Sequence, residues 1–139
     1  MDKKDCLYCE NRELMDKLMI PIADLGVSKL YLFKEQTYGG RCIVAYNHHD
    51  IELADVPPGD ASAFIADVQR VGRALTKTVN PAKINYGMYS DKLPHLHVHV
   101  VPKERDGYTY GTTFTMNPEE KYLTPGEYTA LIEQIKSNL

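Results

Sequence analysis

The stretch His95-Leu96-His97-Val98-His99-Val100-Val101 alternates imidazole side chains with apolar ones. Successive side chains of a β-strand point to opposite faces of the sheet, so the three histidines would share one face. Neighbouring histidines in such a row would have Cβ atoms roughly 7 Å apart. Leu96, Val98 and Val100 would face a hydrophobic core. The stretch therefore predicts a strand with three histidines on one face and apolar side chains that pack in the core on the other.

The histidine row has three interpretations. A solvated polar face is the first, although threonine, lysine or glutamate would serve it as well. A metal site is the second, because histidines two apart on a strand can converge on one ion. However, Val98 and Val100 stand where a metallo-hydrolase pattern would place other ligands. Nucleophilic catalysis is the third and is favoured. Neutral imidazole, with a pKa of about 6.5, attacks phosphorus well near pH 7, and flanking histidines can donate to phosphoryl oxygens.

The segments on either side predict an antiparallel sheet with helices. Residues 27–34, 41–46 and 83–89 are rich in β-branched and aromatic side chains, which is typical of strands. A short helix before them ends or bends at Pro21. Helices and strands mix without regular βαβ alternation, so the predicted class is α+β.

Two longer helices are predicted, one central and one C-terminal. The central helix begins at Asp60 and stops at Asn80-Pro81. Its apolar stripe recurs at spacings of three and four and consists of Ala61, Phe64, Val68, Val71 and Leu75. The C-terminal helix starts with Thr124 as N-cap and Glu127 at N3, a capping-box pattern. Residues 104–117 are predicted to form an irregular loop.

Composition predicts one domain over residues 1–139, with 104–139 as a C-terminal loop and helix. The net charge of −3 gives no overall attraction to nucleic acid. No apolar run is long enough for a membrane span, and the N-terminus leads into no apolar signal segment. We therefore expect a cytoplasmic protein with neither a membrane nor a nucleic acid as partner.

The pair Cys6-Leu7-Tyr8-Cys9 is a second candidate site. Without a signal segment, a Cys-x-x-Cys pair indicates metal or redox chemistry more than a structural disulfide. Redox activity usually needs a thioredoxin-like βαβ context, which the pattern lacks. Two thiolates with two imidazoles would form a closed tetrahedral zinc site. Cys42 lies inside a predicted strand and is interpreted as a buried apolar residue.

The histidine row resembles the signature of the histidine triad (HIT) family, His-φ-His-φ-His-φ-φ, in which φ is apolar. Pro102-Lys103 follows it, as in many members. Residues 40–44 resemble the family's Gly-His-φ-φ-φ strand, and Asn85-Tyr86-Gly87 resembles its Asn-x-Gly strand. The resemblance covers roughly residues 5–103 and implies a HIT-like α+β fold.

The resemblance implies a nucleotide hydrolase acting at an α-phosphate next to ribose. The substrate would be a nucleoside phosphoramidate or a dinucleoside polyphosphate, with a purine nucleotide expected. His97 would be the nucleophile that carries a nucleotidyl intermediate, His99 would contact the phosphate, and Asn85 would lie beside ribose or phosphate. Two alternatives stay open: a nucleotidyl transferase, and a purine-nucleotide-binding interaction protein with little turnover. Members are commonly homodimers, and a homodimer is expected here.

Two departures from the family pattern bear on the site. Arg41 stands where the family has a histidine that supports the nucleophile. Ser90-Asp91 replaces a Gly-Gln pair and is followed by Lys92, whose charge could offset the acid near a phosphate. Arg41 and Lys92 are therefore counted with Asn85 and His99 as candidate substrate-binding residues.

The resemblance extends to the cysteines. Several bacterial members, the zinc-containing branch, carry Cys-x-x-Cys at the N-terminus. Their pattern implies Cys6, Cys9, His49 and His95 as ligands of a structural zinc ion. His48 competes with His49 for this role because the two are adjacent. A closed four-ligand site would fix the N-terminus against the histidine row without activating water.

Overall fold

The computed structural model describes residues 2–118 and 120–139. Within them, the helices are α1 (Arg12–Leu18), α2 (Pro58–Val79) and α3 (Pro125–Asn138), and a short 3-10 helix spans Leu53–Asp55. The strands are β1 (Met19–Asp24), β2 (Ser28–Phe33), β3 (Cys42–Tyr46), β4 (Lys83–Gly87) and β5 (His97–Lys103). The strands form one sheet in the order β1-β2-β3-β5-β4, and every neighbouring pair is antiparallel. This confirms the predicted α+β class.

The first strand is the main difference from the sequence prediction. The predicted helix ends or bends at Pro21, whereas α1 ends at Leu18 and Pro21 lies within β1. Proline lacks an N–H for the ladder and is tolerated at a sheet edge, which is where β1 lies. The pairing register shifts between Pro21 and Ala23, so the strand accommodates the ring with a local irregularity.

The two faces of the sheet are buried by different parts of the chain. Helices α2 and α3 pack on one face, where Leu96, Val98 and Val100 join the main core as the alternation predicts. On the other face, a second apolar cluster around Ile43 includes Leu7 of the N-terminal segment. The histidine row points to this second face.

The long helices follow their sequence signals closely. Helix α2 begins at Pro58, two residues before the predicted start, and ends at Val79. Its C-cap residue, Asn80, has a left-handed φ of 46°. Its buried face includes the predicted Phe64, Val68, Val71 and Leu75. The capping box is confirmed, because Thr124 and Glu127 exchange side-chain and backbone hydrogen bonds at the start of α3. Both helices are therefore set by local sequence.

The segment from residue 104 to 117 contains turns and bends but neither helix nor strand, as predicted. Its Phe114 is buried and packs against Tyr38 and His99, so the segment borders the histidine row. None of the helices in the described ranges combines the length and apolar character needed to span a membrane.

Candidate active site and metal cluster

His97 and His99 lie on β5, between two other strands. His95 precedes the strand, which therefore begins two residues later than the row predicts. Ala45 pairs with His97, and Ile43 pairs with His99, so pairing with β3 fixes the positions of both histidines along the sheet. His97 and His99 are only 4% and 6% exposed, and their ring centroids are 5.1 Å apart. Both border a cleft of about 430 Å³. The other residues lining it are Tyr8, Leu18, Met19, Phe33, Ile43, Tyr89, Ser90, Asp91, Lys92, Leu93, Met116 and Asn117.

Backbone contacts set the tautomer of His97. Its Nδ1 lies 2.7 Å from the carbonyl oxygen of His95, an atom that can only accept, so Nδ1 carries the proton. Ser90 Oγ donates to the same carbonyl at 3.0 Å and lies 3.3 Å from Nδ1. Burial lowers the pKa of His97 below its usual 6.5, which keeps the ring neutral. The lone pair on Nε2 is therefore available for attack.

His99 has the opposite tautomer. Its Nδ1 lies 3.0 Å from Nη2 of Arg41, and a guanidinium nitrogen can only donate. The imidazole proton is therefore on Nε2. Burial, the charge of Arg41 and the neighbouring His97 together lower the pKa of His99 to about 3. At neutral pH, His99 is an uncharged hydrogen-bond donor beside His97.

Arg41 does not reach the cleft. It is fully buried, and its guanidinium carbon lies 4.2 Å from the centroid of Phe33 and 5.4 Å from that of Phe114. Nη1 donates to the carbonyl of Met116 at 3.0 Å. The predicted substrate contact is therefore replaced by a contact behind His99, because strand β3 directs this side chain under the 104–117 segment rather than into the opening.

Asn85 also lies outside the cleft, although it shares the sheet face of the histidines. It pairs with Val101, and it is Gly87 that pairs with His99. Asn85 instead borders a separate depression with Lys83 and Lys103. Asn85 thus lies two residues, roughly 7 Å, along β4 from the position opposite His99. Its contact with ribose or phosphate stays a prediction. Lys92 and Asp91 do line the cleft.

The four predicted metal ligands form one cluster. Cys6 Sγ lies 3.4 Å from His95 Nδ1, Cys9 Sγ lies 3.3 Å from His49 Nδ1, and the two Nδ1 atoms are 3.4 Å apart. All four ligand atoms lie within 4.8 Å of one another. A tetrahedral ion with bonds of about 2.0–2.3 Å separates its ligands by roughly 3.3–3.8 Å. The donor set and spacing therefore fit zinc.

The protonation of the cluster also suits a metal. His95 Nε2 donates to the carbonyl of Tyr46 at 2.7 Å, so its Nδ1 lone pair points at the cysteines. Burial and the neighbouring Cys6 raise the pKa of Cys9 to about 11, a cost that a divalent cation would offset. His48 is outside the cluster, and Cys42 is buried in the main core as predicted. Four protein ligands leave no open position for substrate.

Tyr8, between the two cysteines, is a site residue that the sequence analysis did not single out. Its ring centroid lies 5.1 Å from that of His95 and 5.0 Å from that of His97. It also lines the cleft. The ring of Tyr8 thus lies between the Cys2His2 cluster and His97. Its place inside the Cys-x-x-Cys loop was the signal that it would approach the histidine row.

An internal strand that presents histidines on one face, beside a Cys2His2 cluster that fits zinc, is the arrangement of a histidine triad protein. A sequence model of the HIT domain matches residues 34–106. The chain belongs to the HIT domain family. The matched region contains the histidine row and His49, while Cys6 and Cys9 precede it.

Known relatives agree with this assignment. The adenosine 5'-monophosphoramidase of Schizosaccharomyces pombe is 24% identical over 139 aligned positions, which span 96% of this chain and 98% of the relative. A histidine triad protein of Sinorhizobium meliloti has a TM-score of 0.84 at 21% identity, covering 91% of this chain and 94% of its own. A zinc-bound family protein of Mycobacterium smegmatis has a TM-score of 0.69 at 20% identity, covering 98% and 96%. These structural likenesses establish the fold.

Proposed function

We propose that this HIT protein hydrolyses purine nucleoside phosphoramidates at the α-phosphate through a nucleotidyl-His97 intermediate. The observation that carries the proposal is the pair of tautomers at the cleft. His97 has an unprotonated Nε2, and His99 beside it has a protonated one. A nucleophile next to a neutral donor is the arrangement that attack on a phosphoryl group needs.

In the first step, Nε2 of His97 attacks the α-phosphorus. A bond forms between Nε2 and phosphorus, and the phosphorus–nitrogen bond of the substrate breaks. The amine leaves with a proton taken from water. The Nδ1–H bond to the carbonyl of His95 stabilises the positive charge that develops on the ring. Nε2–H of His99 donates to a phosphoryl oxygen, where negative charge accumulates.

In the second step, water attacks the same phosphorus from the side that the amine has left. The bond from phosphorus to Nε2 breaks, the nucleoside monophosphate is released, and the water proton goes to solvent. His97 returns to its neutral state with the proton still on Nδ1. The fixed tautomer therefore serves both halves of the cycle.

The charges of the cleft favour an amine over a polyphosphate as the leaving group. Lys92 contributes one cation and Asp91 one carboxylate to the lining. A polyphosphate would bring several negative charges toward that carboxylate, whereas an amine brings none. The phosphoramidase activity in the name of the fission yeast relative supports the same choice. Dinucleoside polyphosphates are the second substrate class to test.

Zinc, held by Cys6, Cys9, His49 and His95, would have a structural role. When bound, it neutralises the two thiolates and fixes the N-terminal segment to the start of β5. Tyr8 then stands against His97 and closes one side of the cleft. The zinc-bound relative from Mycobacterium smegmatis supports this choice of ion.

A homodimer would use the free edge of the sheet. Strand β4 is the last strand in the order, and an apolar depression of about 350 Å³ lies beside it. Ile65, Tyr86 and Met88 there are 43%, 51% and 37% exposed. A second copy would cover this patch and pair the open strand edge. We place the dimer in the cytoplasm, where its cysteines would stay reduced.

The experiment that tests the function is a substrate panel followed by trapping. Adenosine and guanosine phosphoramidates, diadenosine polyphosphates and a nucleoside triphosphate are offered to the zinc-loaded protein. Release of nucleoside monophosphate from the phosphoramidates, and a nucleotidyl adduct mapped to His97 after rapid acid quench, are expected. Nucleotide exchange onto an added phosphate acceptor would favour a transferase. Binding without release in every case would contradict the hydrolase and favour an interaction protein.

A further inference from the structure

Arg41 is a buried cation with an unusual set of partners. It is 0% exposed, and in the described ranges no carboxylate lies within ion-pair distance of it. Its neighbours are an imidazole nitrogen, a backbone carbonyl, a thioether sulfur and two aromatic rings. Burial lowers the pKa of Arg41 to about 10, so the group stays charged at neutral pH. A buried charge without an ion pair costs stability, which calls for a reason other than packing.

The geometry of the guanidinium points to that reason. Nη2 donates to His99 Nδ1 at 3.0 Å and lies 3.5 Å from Met116 Sδ, while Nη1 donates to the Met116 carbonyl at 3.0 Å. Both His99 and Met116 line the cleft. One planar group thus holds a phosphate-facing ring and a wall of the cleft in a fixed relation. Lysine, with a single nitrogen, cannot span both partners in the same way.

We infer that Arg41 is a positioning residue that holds His99 in the tautomer with its proton on Nε2 and ties it to the Met116 wall. The effect of Arg41 on turnover rests on the proposed function, whereas its effect on the tautomer of His99 does not. A neutral imidazole has two tautomers of similar energy in water. Because Arg41 can only donate, it removes the Nδ1–H tautomer and leaves Nε2–H directed to the substrate. The positive charge behind the ring also makes that N–H a stronger donor.

The same charge opposes protonation of His99. Burial has the largest effect on the pKa of His99 and lowers it. Arg41, which immediately precedes β3, and His97, which lies on β5 with His99, lower it further. Removing Arg41 should therefore raise the pKa of His99. A role in packing alone predicts no change in either the tautomer or the titration of His99.

The test is nitrogen-15 NMR of the zinc-loaded protein with labelled histidine. His99 is assigned from the spectrum of His99→Gln. In the wild type, we expect Nε2 of His99 to be protonated and Nδ1 to be unprotonated, without titration between pH 5 and 8. A mixture of tautomers, or protonated Nδ1, would overturn the inference. This measurement needs no substrate and no variant of Arg41.

Two variants of Arg41 distinguish hydrogen-bond donation to His99 from a role in packing alone. Arg41→Lys keeps a donor and the charge, so the Nε2–H tautomer should persist and kcat/KM should fall by about 10-fold or less. Arg41→Met removes both, so His99 should show mixed tautomers and a raised pKa, and kcat/KM should fall about 10²-fold. Arg105→Met, at an exposed arginine, is the matched control and should change neither.

An unaltered His99 spectrum in folded Arg41→Met would refute the inference. If that variant does not fold, the wild-type tautomer and the Arg41→Lys result decide it. If the wild type turns over no phosphoramidate, the proposed function fails. The tautomer measurement still decides the inference about Arg41, because it needs no substrate.

Discussion

The two ends of the histidine row are fixed by different means. At one end, His95 lies in a cluster of four ligand atoms with Cys6, Cys9 and His49, and Tyr8 covers it. At the other end, His99 is held by a buried guanidinium between aromatic rings. The first end has a donor set that fits zinc, whereas the second is built of side chains alone. The comparison teaches that His97, which lies between these ends, can be perturbed independently through the Cys2His2 cluster at one end and through Arg41 at the other.

The largest effect is expected from removing the imidazole of His97, which lies between the two ends of the row. His97→Ala should lower kcat/KM for the preferred phosphoramidate by about 10³-fold or more, because the covalent route is lost. Its melting temperature should stay within a few degrees of the wild type. His48→Ala, at an exposed histidine outside the metal cluster, is the control and should retain full turnover. Near-normal hydrolysis by His97→Ala would refute the nucleophile assignment.

Removing the metal should affect one end only. Cys9→Ser should reduce zinc from about one per chain to near zero and lower the melting temperature by roughly 10 °C, since a lost structural site costs a few kcal/mol. Turnover should fall with it, because Tyr8 loses its anchor. Metal analysis and calorimetry measure both effects. Cys42→Ala changes a core cysteine that is not a ligand and should keep its zinc. Full zinc content in Cys9→Ser would contradict the ligand set.

The two ends also differ in how far the sequence predicts them. Cys6, Cys9 and His95 belong to two local patterns, a Cys-x-x-Cys pair and a histidine row, and His49 is added by the resemblance to the zinc-containing branch of the family. Arg41 meets His99 across 58 residues and Met116 across 75, and it does so through a loop with no regular structure. No spacing rule encodes such contacts. The sequence therefore identifies position 41 as a departure from the family pattern but does not predict its contacts with His99 and Met116.

Strand register marks a second limit of sequence reasoning. The strand that contains Asn85 is predicted from its composition, and the observed pairing places this residue on the sheet face of the histidines. Asn85 nevertheless lies two residues along β4 from the position opposite His99, and its side chain borders another depression. Hydrophobic alternation distinguishes the two faces of a strand but not successive positions on one face. Similarly, β1 is missed because Pro21 signals a break unless the strand is known to be an edge.

A pH experiment sharpens the comparison at the His99 end. An unfolded histidine has a pKa near 6.5, whereas the pKa of folded His99 is about 3. Between these values, the unfolded chain binds a proton that the folded chain does not. Stability from neutral His99 is therefore complete above about pH 6.5 and is lost as the pH falls toward 3.

The magnitude of this effect is bounded by one proton, about 1.4 kcal/mol per pH unit. In urea unfolding between pH 6 and 4.5, the wild type should lose close to that amount per unit more than His99→Gln does. The glutamine can still accept from Arg41, and both proteins carry the same metal cluster, so the difference isolates the histidine. Parallel pH dependences for the two proteins would show that His99 is not held neutral.

The smallest expected effect concerns Tyr8, through which the metal end reaches the nucleophile. Its ring lies about equally close to His95 and His97, with centroid distances of 5.1 and 5.0 Å. Such ring contacts are worth about 0.5–1.5 kcal/mol, so Tyr8→Leu should lower kcat/KM by roughly 2- to 12-fold while zinc content is unchanged. Tyr8→Phe keeps the ring and should behave like the wild type, because burial raises the pKa of Tyr8 and the hydroxyl carries no charge. If Tyr8→Leu also loses zinc, the ring stabilises the cluster itself. If it retains both zinc and full activity, the metal end supports His97 through the backbone of β5 alone.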